Sequence, residues 1–155
     1  MKRIFYLTMV LLSVAAFVAC DDTPVEVVDP QLDVTAHNIS GTWMLESWKG
    51  SSLADGSYVY IDFERRDCSY KLYQNLGSFS TQRLTGRFYI EVDEAIGGAV
   101  IRGNYDYDRG DWSHRYIVTS LTANKMTWVA KDNVEDESVY VRAEIPSKIL
   151  DEAGE

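Results

Sequence analysis

From Gly41 to Pro146 the apolar residues recur at every second position, in short runs cut by polar or glycine-bearing turns. No segment in that span carries apolar residues at helical spacing. Alternation of this kind builds strands with one face toward a core and the other toward water. Eight such runs can be read, at residues 41–48, 58–63, 68–73, 81–92, 99–107, 112–119, 125–130 and 137–145. The turns between them are short. In the fourth run Leu84, Phe88, Ile90 and Val92 share a face against Arg83, Arg87 and Glu91. Gly86 interrupts that run and marks a bulge or sharp bend. Pro146 ends the last run because it has no N–H to donate to a ladder. The expectation is an all-β domain, an eight-stranded up-and-down antiparallel barrel. Closing the meander removes the two bare edges that an open sheet would keep. A two-sheet sandwich is the alternative arrangement.

What precedes the strands reads as export and tethering. Residues 1–19 have the form of a signal peptide, with Lys2 and Arg3 ahead of an apolar run from Ile4 to Val18 that is too short to span a membrane comfortably. The run ends Phe17-Val18-Ala19-Cys20, which resembles a bacterial lipobox. That resemblance implies cleavage before Cys20 and acylation of its sulfur and new amino group, palmitate being a typical chain. Two or more chains anchor firmly, at roughly 0.8 kcal/mol per buried methylene. Residues 20–37 read as a lipidated acidic linker, with Pro24, Pro30 and several acids and no periodicity. Extended, residues 21–37 reach at most about 60 Å. The segment is expected to be disordered and dispensable for folding. Residues 38–146 form the barrel and 147–155 a C-terminal tail.

Charge excludes one class of partner. The formal net charge is −9, and loss of Lys2 and Arg3 with the signal takes it to about −11. Nucleic-acid binding needs clustered Lys and Arg at phosphates, so none is expected. Cys68 is the only cysteine besides Cys20, which leaves no intramolecular disulfide once Cys20 is acylated. No catalytic residues are assigned. The two histidines, His37 and His114, lie far apart, and no HExxH, GxSxG, P-loop or paired-cysteine motif is present. An enzyme would have to use His114 with nearby acids. Residues 106–111 partly match a calcium loop, but Arg109 stands where an oxygen ligand would help and no glutamate follows at the right distance. They read as a polar hairpin turn, and no metal or other cofactor is expected.

Aromatic residues carry the binding hypothesis. They make up 12% of the chain and crowd into the predicted strands. They can fill the barrel, or they can line a pocket with apolar faces and a few phenolic hydroxyls, the usual make-up of a small-molecule site. Tyr70, Tyr105, Tyr107, Tyr116 and Trp128 are the candidate ligand-binding residues.

The first predicted strand opens Gly41-Thr42-Trp43, which resembles the Gly-x-Trp that begins strand A in the lipocalins and related calycins. Tyr140-Val141-Arg142 supplies an arginine on the last strand, as lipocalins do, and loosely resembles the late-strand Arg-x-Tyr of fatty-acid-binding proteins in reverse order. Residues 117–126 resemble a strand–turn–strand of bacterial lipocalin-like lipoproteins. The acidic pair Asp21-Asp22 resembles the surface-export signals of Bacteroidetes lipoproteins. Together these point to a Bacteroidetes-type, lipocalin-like lipoprotein. The resemblance implies that Trp43 plugs one end of the barrel and that Arg142 covers it. Strand parity argues the other way: Val139, Val141, Ala143 and Ile145 form the more apolar face, which puts Arg142 outside unless a bulge or an end position intervenes. The implied function is non-enzymatic binding of a small hydrophobic or glycan-like ligand by a protein held to the outer membrane through lipid on Cys20, at the periplasmic side or the cell surface. The alternative is an accessory subunit that binds another envelope protein through the barrel's outer face.

Overall fold

The structure, a computed structural model, describes residues 29–155. The export signal, Cys20 and linker residues 21–28 lie outside the described residues. A single turn of helix, α1 (Ala36–Ile39), leads into β1 (Gly41–Trp48) and a two-residue strand β2 (Ser51–Ser52). Then follow β3 (Tyr58–Glu64), β4 (Ser69–Asn75), β5 (Gln82–Asp93), β6 (Gly98–Tyr105), β7 (Tyr116–Leu121), β8 (Lys125–Ala130) and β9 (Asn133–Arg142). A second short helix, α2 (Ser147–Ala153), follows.

From β3 onward each strand pairs antiparallel with the next, and β1 pairs with both β3 and β9. That last pairing closes the sheet, so the architecture is a barrel and not a sandwich. Eight strands form the wall, as the alternation predicts, and β2 is an added two-residue flap on β1. Of the two arrangements expected at Gly86, bulge or sharp bend, the structure has the bend: a corner with unbroken register. Gly86 pairs with Tyr70 on β4 and with Tyr105 on β6, so β5 leaves one neighbour for the other around this residue. A Cβ here would lie 1.8 Å from the Asn104 carbonyl oxygen, so only glycine allows the strands to approach this closely. The register shifts fall elsewhere, at Leu45/Ser47, Val118/Ser120 and Val129/Ala130.

The barrel has a plugged end and an open end. Ile39, Trp43, Phe63, Phe88, Ile101, Leu121 and Met126 fill the plugged end and are almost wholly buried. The preceding segment closes over them. The Leu32 N–H donates to the Leu121 carbonyl at 2.8 Å, and the Asn124 side chain donates to Asp29 at 2.7 Å. Leu32, Val34 and Ala36 pack on the core. Residues 29–37 are therefore docked, contrary to the expectation of a free linker through residue 37. Three apolar side chains at alternating positions supply the burial that offsets the ordering of this backbone.

The tail is structured as well. Ile149 of α2 is buried against Tyr60 and Tyr73, a cross-strand pair on the outer face of β3 and β4. The Glu155 carboxylate accepts hydrogen bonds from Lys71 and Tyr73, which hold it below the usual carboxylate range.

Candidate functional site: the mouth of the barrel

At the end opposite Trp43 the interior opens into a cavity of roughly 310 Å³, at the small end of the ligand-pocket range. Its walls are the inward residues of several strands. On β6 the inward sequence is Ile101, Gly103, Tyr105. Gly103 contributes no side chain, and the Trp112 indole occupies the space: a Cβ on Gly103 would sit 2.4 Å from it. Trp112 donates its Nε1–H to the Tyr70 hydroxyl at 2.8 Å, and Tyr70 donates in turn to the Asn104 carbonyl at 3.0 Å. This relay fixes both rings. Burial pushes the Tyr70 hydroxyl well above the ordinary tyrosine range.

A second group of rings forms the opposite wall. Tyr116 stacks on Trp128 with centroids 4.9 Å apart and planes 22° apart, and Tyr140 meets Trp128 edge-on at 4.8 Å. Burial, and then the nearby Asp136 carboxylate, push the Tyr116 hydroxyl up to about 12. Asp136 and Ser138 face inward beside Tyr140 on β9 and are buried. The Asp136 carboxylate accepts from Trp48 Nε1 at 2.6 Å and lies 3.3 Å from the Lys49 ammonium, which itself sits over the Trp48 ring. A buried carboxylate held this way has its charge compensated inside the protein. Trp43 and Trp48, like Trp112, have a hydrogen-bonded indole N–H. Trp128 Nε1 is buried and has no partner among the described residues.

Of the predicted ligand-binding residues, Tyr70, Tyr105, Tyr116 and Trp128 converge on this cavity. Tyr107 does not. The Tyr105 N–H bonds to the Gly110 carbonyl, the strand ends there, and Tyr107 sits on the turn at φ +64° with its side chain in solvent. The alternation that places it inward was carried past the end of β6. Sequence reasoning missed Trp48, Trp112, Asp136, Ser138 and Tyr140 as wall residues. Trp112 belongs to no strand, since β7 begins only at Tyr116, so its orientation has no periodic signal. Ser138 was hidden by parity, because it lies on the more polar face of the last strand, and Asp136 by length, because β9 begins at Asn133 and not at Glu137.

The plugged end matches the implied arrangement. Arg142 pairs with Trp43 in the β1–β9 register, and its guanidinium carbon lies 3.7 Å from the Trp43 ring centroid. Its nitrogens donate to the carbonyls of Ser40 at 2.6 Å, Asn38 at 2.8 Å and Ala123 at 3.1 Å. The parity argument fails because the inner face of β9 is the polar one, running Asp136, Ser138, Tyr140, Arg142. Ala143 and Ile145 lie past the strand and pack with α2. Gly41 adopts φ +98°, and a Cβ on it would meet Arg142 Nη1 at 2.9 Å. The glycine of Gly41-Thr42-Trp43 thus makes room for the arginine.

The remaining polar features lie away from the cavity interior. His114 stands at the lip, and its Nδ1 is 2.9 Å from Asp132 on the exposed surface. The 106–111 turn is tied down by Thr85 donating to Asp106 at 2.6 Å. Among the described residues no cluster of acids, histidines and cysteines fits a metal ion. A broader hollow of roughly 640 Å³ lies outside the barrel beside α2, where Lys71 pairs with Glu155.

Comparison with known proteins places this architecture. Two solved structures resemble it. One is an NMR structure of a protein from Bacteroides uniformis, 19% identical, with a TM-score of 0.51 over 72% of this chain and 94% of that one. The other is a crystal structure of a lipocalin-like protein from Bacteroides uniformis, 15% identical, with a TM-score of 0.48 over 68% of this chain and 99% of that one. At 19% identity the first likeness shows the fold alone. No curated protein matches the chain. The sequence profile of the lipocalin-like domain matches residues 39–128, more than half of the chain, beginning at the buried Ile39 and ending at Trp128 in the cavity wall. The chain belongs to the lipocalin-like domain family.

Proposed function

We propose that the protein is a lipid-anchored lipoprotein of the outer membrane whose barrel binds a small hydrophobic or glycan-like ligand without chemical turnover. The observation that carries this reading is the aromatic-walled cavity at the open end of a barrel whose other end is plugged. Rings with polar edges suit either an apolar body or the face of a sugar. Leu76, an exposed apolar side chain on the β4–β5 loop, lines the entrance. Turnover is disfavoured because the one histidine near the mouth pairs with Asp132 outside the cavity, where no substrate held among the rings would meet both groups. The accessory-subunit reading fits less well, since a barrel used only for its outer face has no need of an open interior. Anchoring through Cys20, with Asp21-Asp22 directing display at the cell surface, rests on the sequence motif.

Native mass spectrometry of the mature protein purified from its own host tests the binding reading. A co-purified small molecule, lost when Ser138→Trp fills the cavity, is the expected result. A bare polypeptide mass under gentle conditions, together with unaltered tryptophan emission across a panel of apolar and glycan ligands, would sink it.

A further inference from the structure

An ammonium already sits at the edge of the cavity. Lys49 Nζ lies 3.3 Å from the Asp136 carboxylate and 4.7 Å from the centroid of the Trp48 ring, over its face. Asp136 and Trp48 both line the cavity, and the Trp48 indole N–H donates to the same carboxylate at 2.6 Å, which fixes the two groups relative to each other. Lys49 is not part of the wall, and its side chain is nearly half exposed. An ion pair with one exposed partner is weak, so Lys49 can leave it for water at little cost. Asp136 cannot follow. It is buried, and without a cation beside it the carboxylate would be stranded.

The other charges at this end leave the position to a cation. Among the described residues no lysine or arginine lines the cavity, and Asp136 is the only carboxylate in its wall. His114 lines it too, but its Nδ1 donates to Asp132 at 2.9 Å; the pair is neutral with the imidazole charged and negative with it uncharged. Arg102 and Arg115 border a neighbouring hollow with Asp111, Trp112 and His114, and both donate to Glu91, at 2.6 and 2.8 Å. Asp136 and Asp132 add to burial in raising the Tyr116 hydroxyl, as a negative field does. Much of the wall is aromatic, and the ring quadrupole attracts a cation.

We infer that the cavity takes an organic cation, an ammonium on a small apolar body, and that the ligand's ammonium displaces Lys49 from between Asp136 and Trp48. This rests on the proposed reading of the cavity as a small-molecule site and names the ligand class. A volume of roughly 310 Å³ holds a body the size of an arylalkylamine. The exchange keeps Asp136 paired throughout. Lys49 gains water, the ligand's ammonium gains the carboxylate and the indole face, and its apolar body gains a burial that Lys49 does not supply. A neutral ligand gains the burial alone. An anion meets the Asp136 carboxylate while Lys49 is still engaged with it.

Three probes of one skeleton separate the terms: phenethylamine, a cation near neutral pH; 2-phenylethanol, which is neutral; and 3-phenylpropanoate, the anion. Each is titrated into the mature protein at low salt, with affinity read by calorimetry and by tryptophan emission. The amine should bind about tenfold more tightly than either of the others. Asp136→Asn, which keeps an acceptor for the Trp48 indole, should abolish that advantage. Lys49→Met, which removes the competing ammonium, should tighten amine binding about threefold and leave the alcohol unchanged. A purely structural role for the Asp136–Lys49 pair would move both variants in the same direction. An alcohol or acid that binds as tightly as the amine overturns the inference and leaves the cavity a small-molecule site. Amine binding that Lys49→Met weakens or does not change overturns the displacement of Lys49. If none of the three binds, the inference falls, and the small-molecule reading is still judged by what co-purifies with the protein. The ranking of the probes on the unaltered chain needs no variant, so it decides the ligand class even if Asp136→Asn folds poorly.

Discussion

Arg142 and Trp43 meet across the seam where the last strand closes on the first, guanidinium over indole at 3.7 Å. The same guanidinium donates to the carbonyls of Asn38 and Ser40, at the end of α1 and just beyond it, and to Ala123 in the β7–β8 turn. One side chain therefore joins the lead-in segment, the strand seam and a hairpin turn, and a planar fork suits this better than a point charge.

Removing either partner should loosen that seam. Trp43→Ala should cost about 3–5 kcal/mol as a large-to-small change at a fully buried site. Arg142→Ala should cost about 1–3 kcal/mol, since three carbonyls lose their donor. Arg142→Lys should recover only part of the loss. Urea unfolding followed by tryptophan emission measures all three; equal stability of Arg142→Lys and the wild type would show that charge alone matters there.

Two glycines should resist alanine for different reasons. Gly41→Ala strains a residue at φ +98° and pushes on Arg142, and should cost roughly 1–3 kcal/mol. Gly86→Ala places a methyl group on a backbone oxygen that cannot move aside, so its loss should be larger. Thermal melts rank them, and Gly86→Ala melting at the wild-type temperature would contradict the corner geometry.

Docking of residues 29–37 predicts a cost for cutting them away. A chain beginning at His37 should melt more than about 5 °C below one beginning at Asp29, which corresponds to roughly 1 kcal/mol for a domain of this size. Matching melting temperatures would show that this segment adds nothing to stability.

High pH should destabilise the fold. The Tyr116 hydroxyl is pushed up to about 12 by burial, and those of Tyr70 and Tyr140 are raised further still. The native state keeps these protons after the unfolded chain, with an ordinary tyrosine range near 10, has released them. Their stabilisation is therefore whole below about pH 10 and is lost as pH rises through the folded values. For Tyr116 the loss should be on the order of 2 kcal/mol by pH 12. Urea midpoints from pH 9 to 12 should fall steeply, and Tyr116→Phe should flatten the fall; an unchanged slope would remove Tyr116 from the account.

Cys20→Ala should abolish metabolic labelling with palmitate and leave the protein either soluble in the periplasm or uncleaved at the inner membrane. Normal labelling of that variant would end the lipoprotein reading.

The barrel was legible because alternation reports strand pairing directly, and eight runs joined by short turns leave few ways to hide their edges. Gly41 and Trp43 were legible through their resemblance to the Gly-x-Trp of the lipocalins, and the structure adds the physical reason: a glycine at φ +98° that leaves room for Arg142 over the buried indole. Inside and outside were harder. On β9 the face that looks apolar, with Val139 and Val141, points away from the interior, while Asp136 and Ser138 point in. Alternation gives two faces without saying which is inner when a cavity wants polar groups and an outer helix wants apolar ones. Tyr107 failed at a strand end and Trp112 in a loop, both set by turn geometry. The docking of Leu32 and Val34 depends on contacts with a turn some ninety residues away, which no local pattern near a proline-containing, acidic stretch reveals.

The hydrogen bond from Asn124 to Asp29 sets a direction for the whole molecule. It fastens the entering chain beside the plugged end, while the cavity faces the other way. Nine residue-to-residue steps separate Cys20 from Asp29, a reach of about 30 Å at full stretch. For a chain held by acyl groups on Cys20, the nearer pole is the one sealed by Trp43, and the aromatic cup opens toward the bulk. Cargo would then arrive by diffusion through water, so the relevant competitor for the ligand is solvent and not the bilayer.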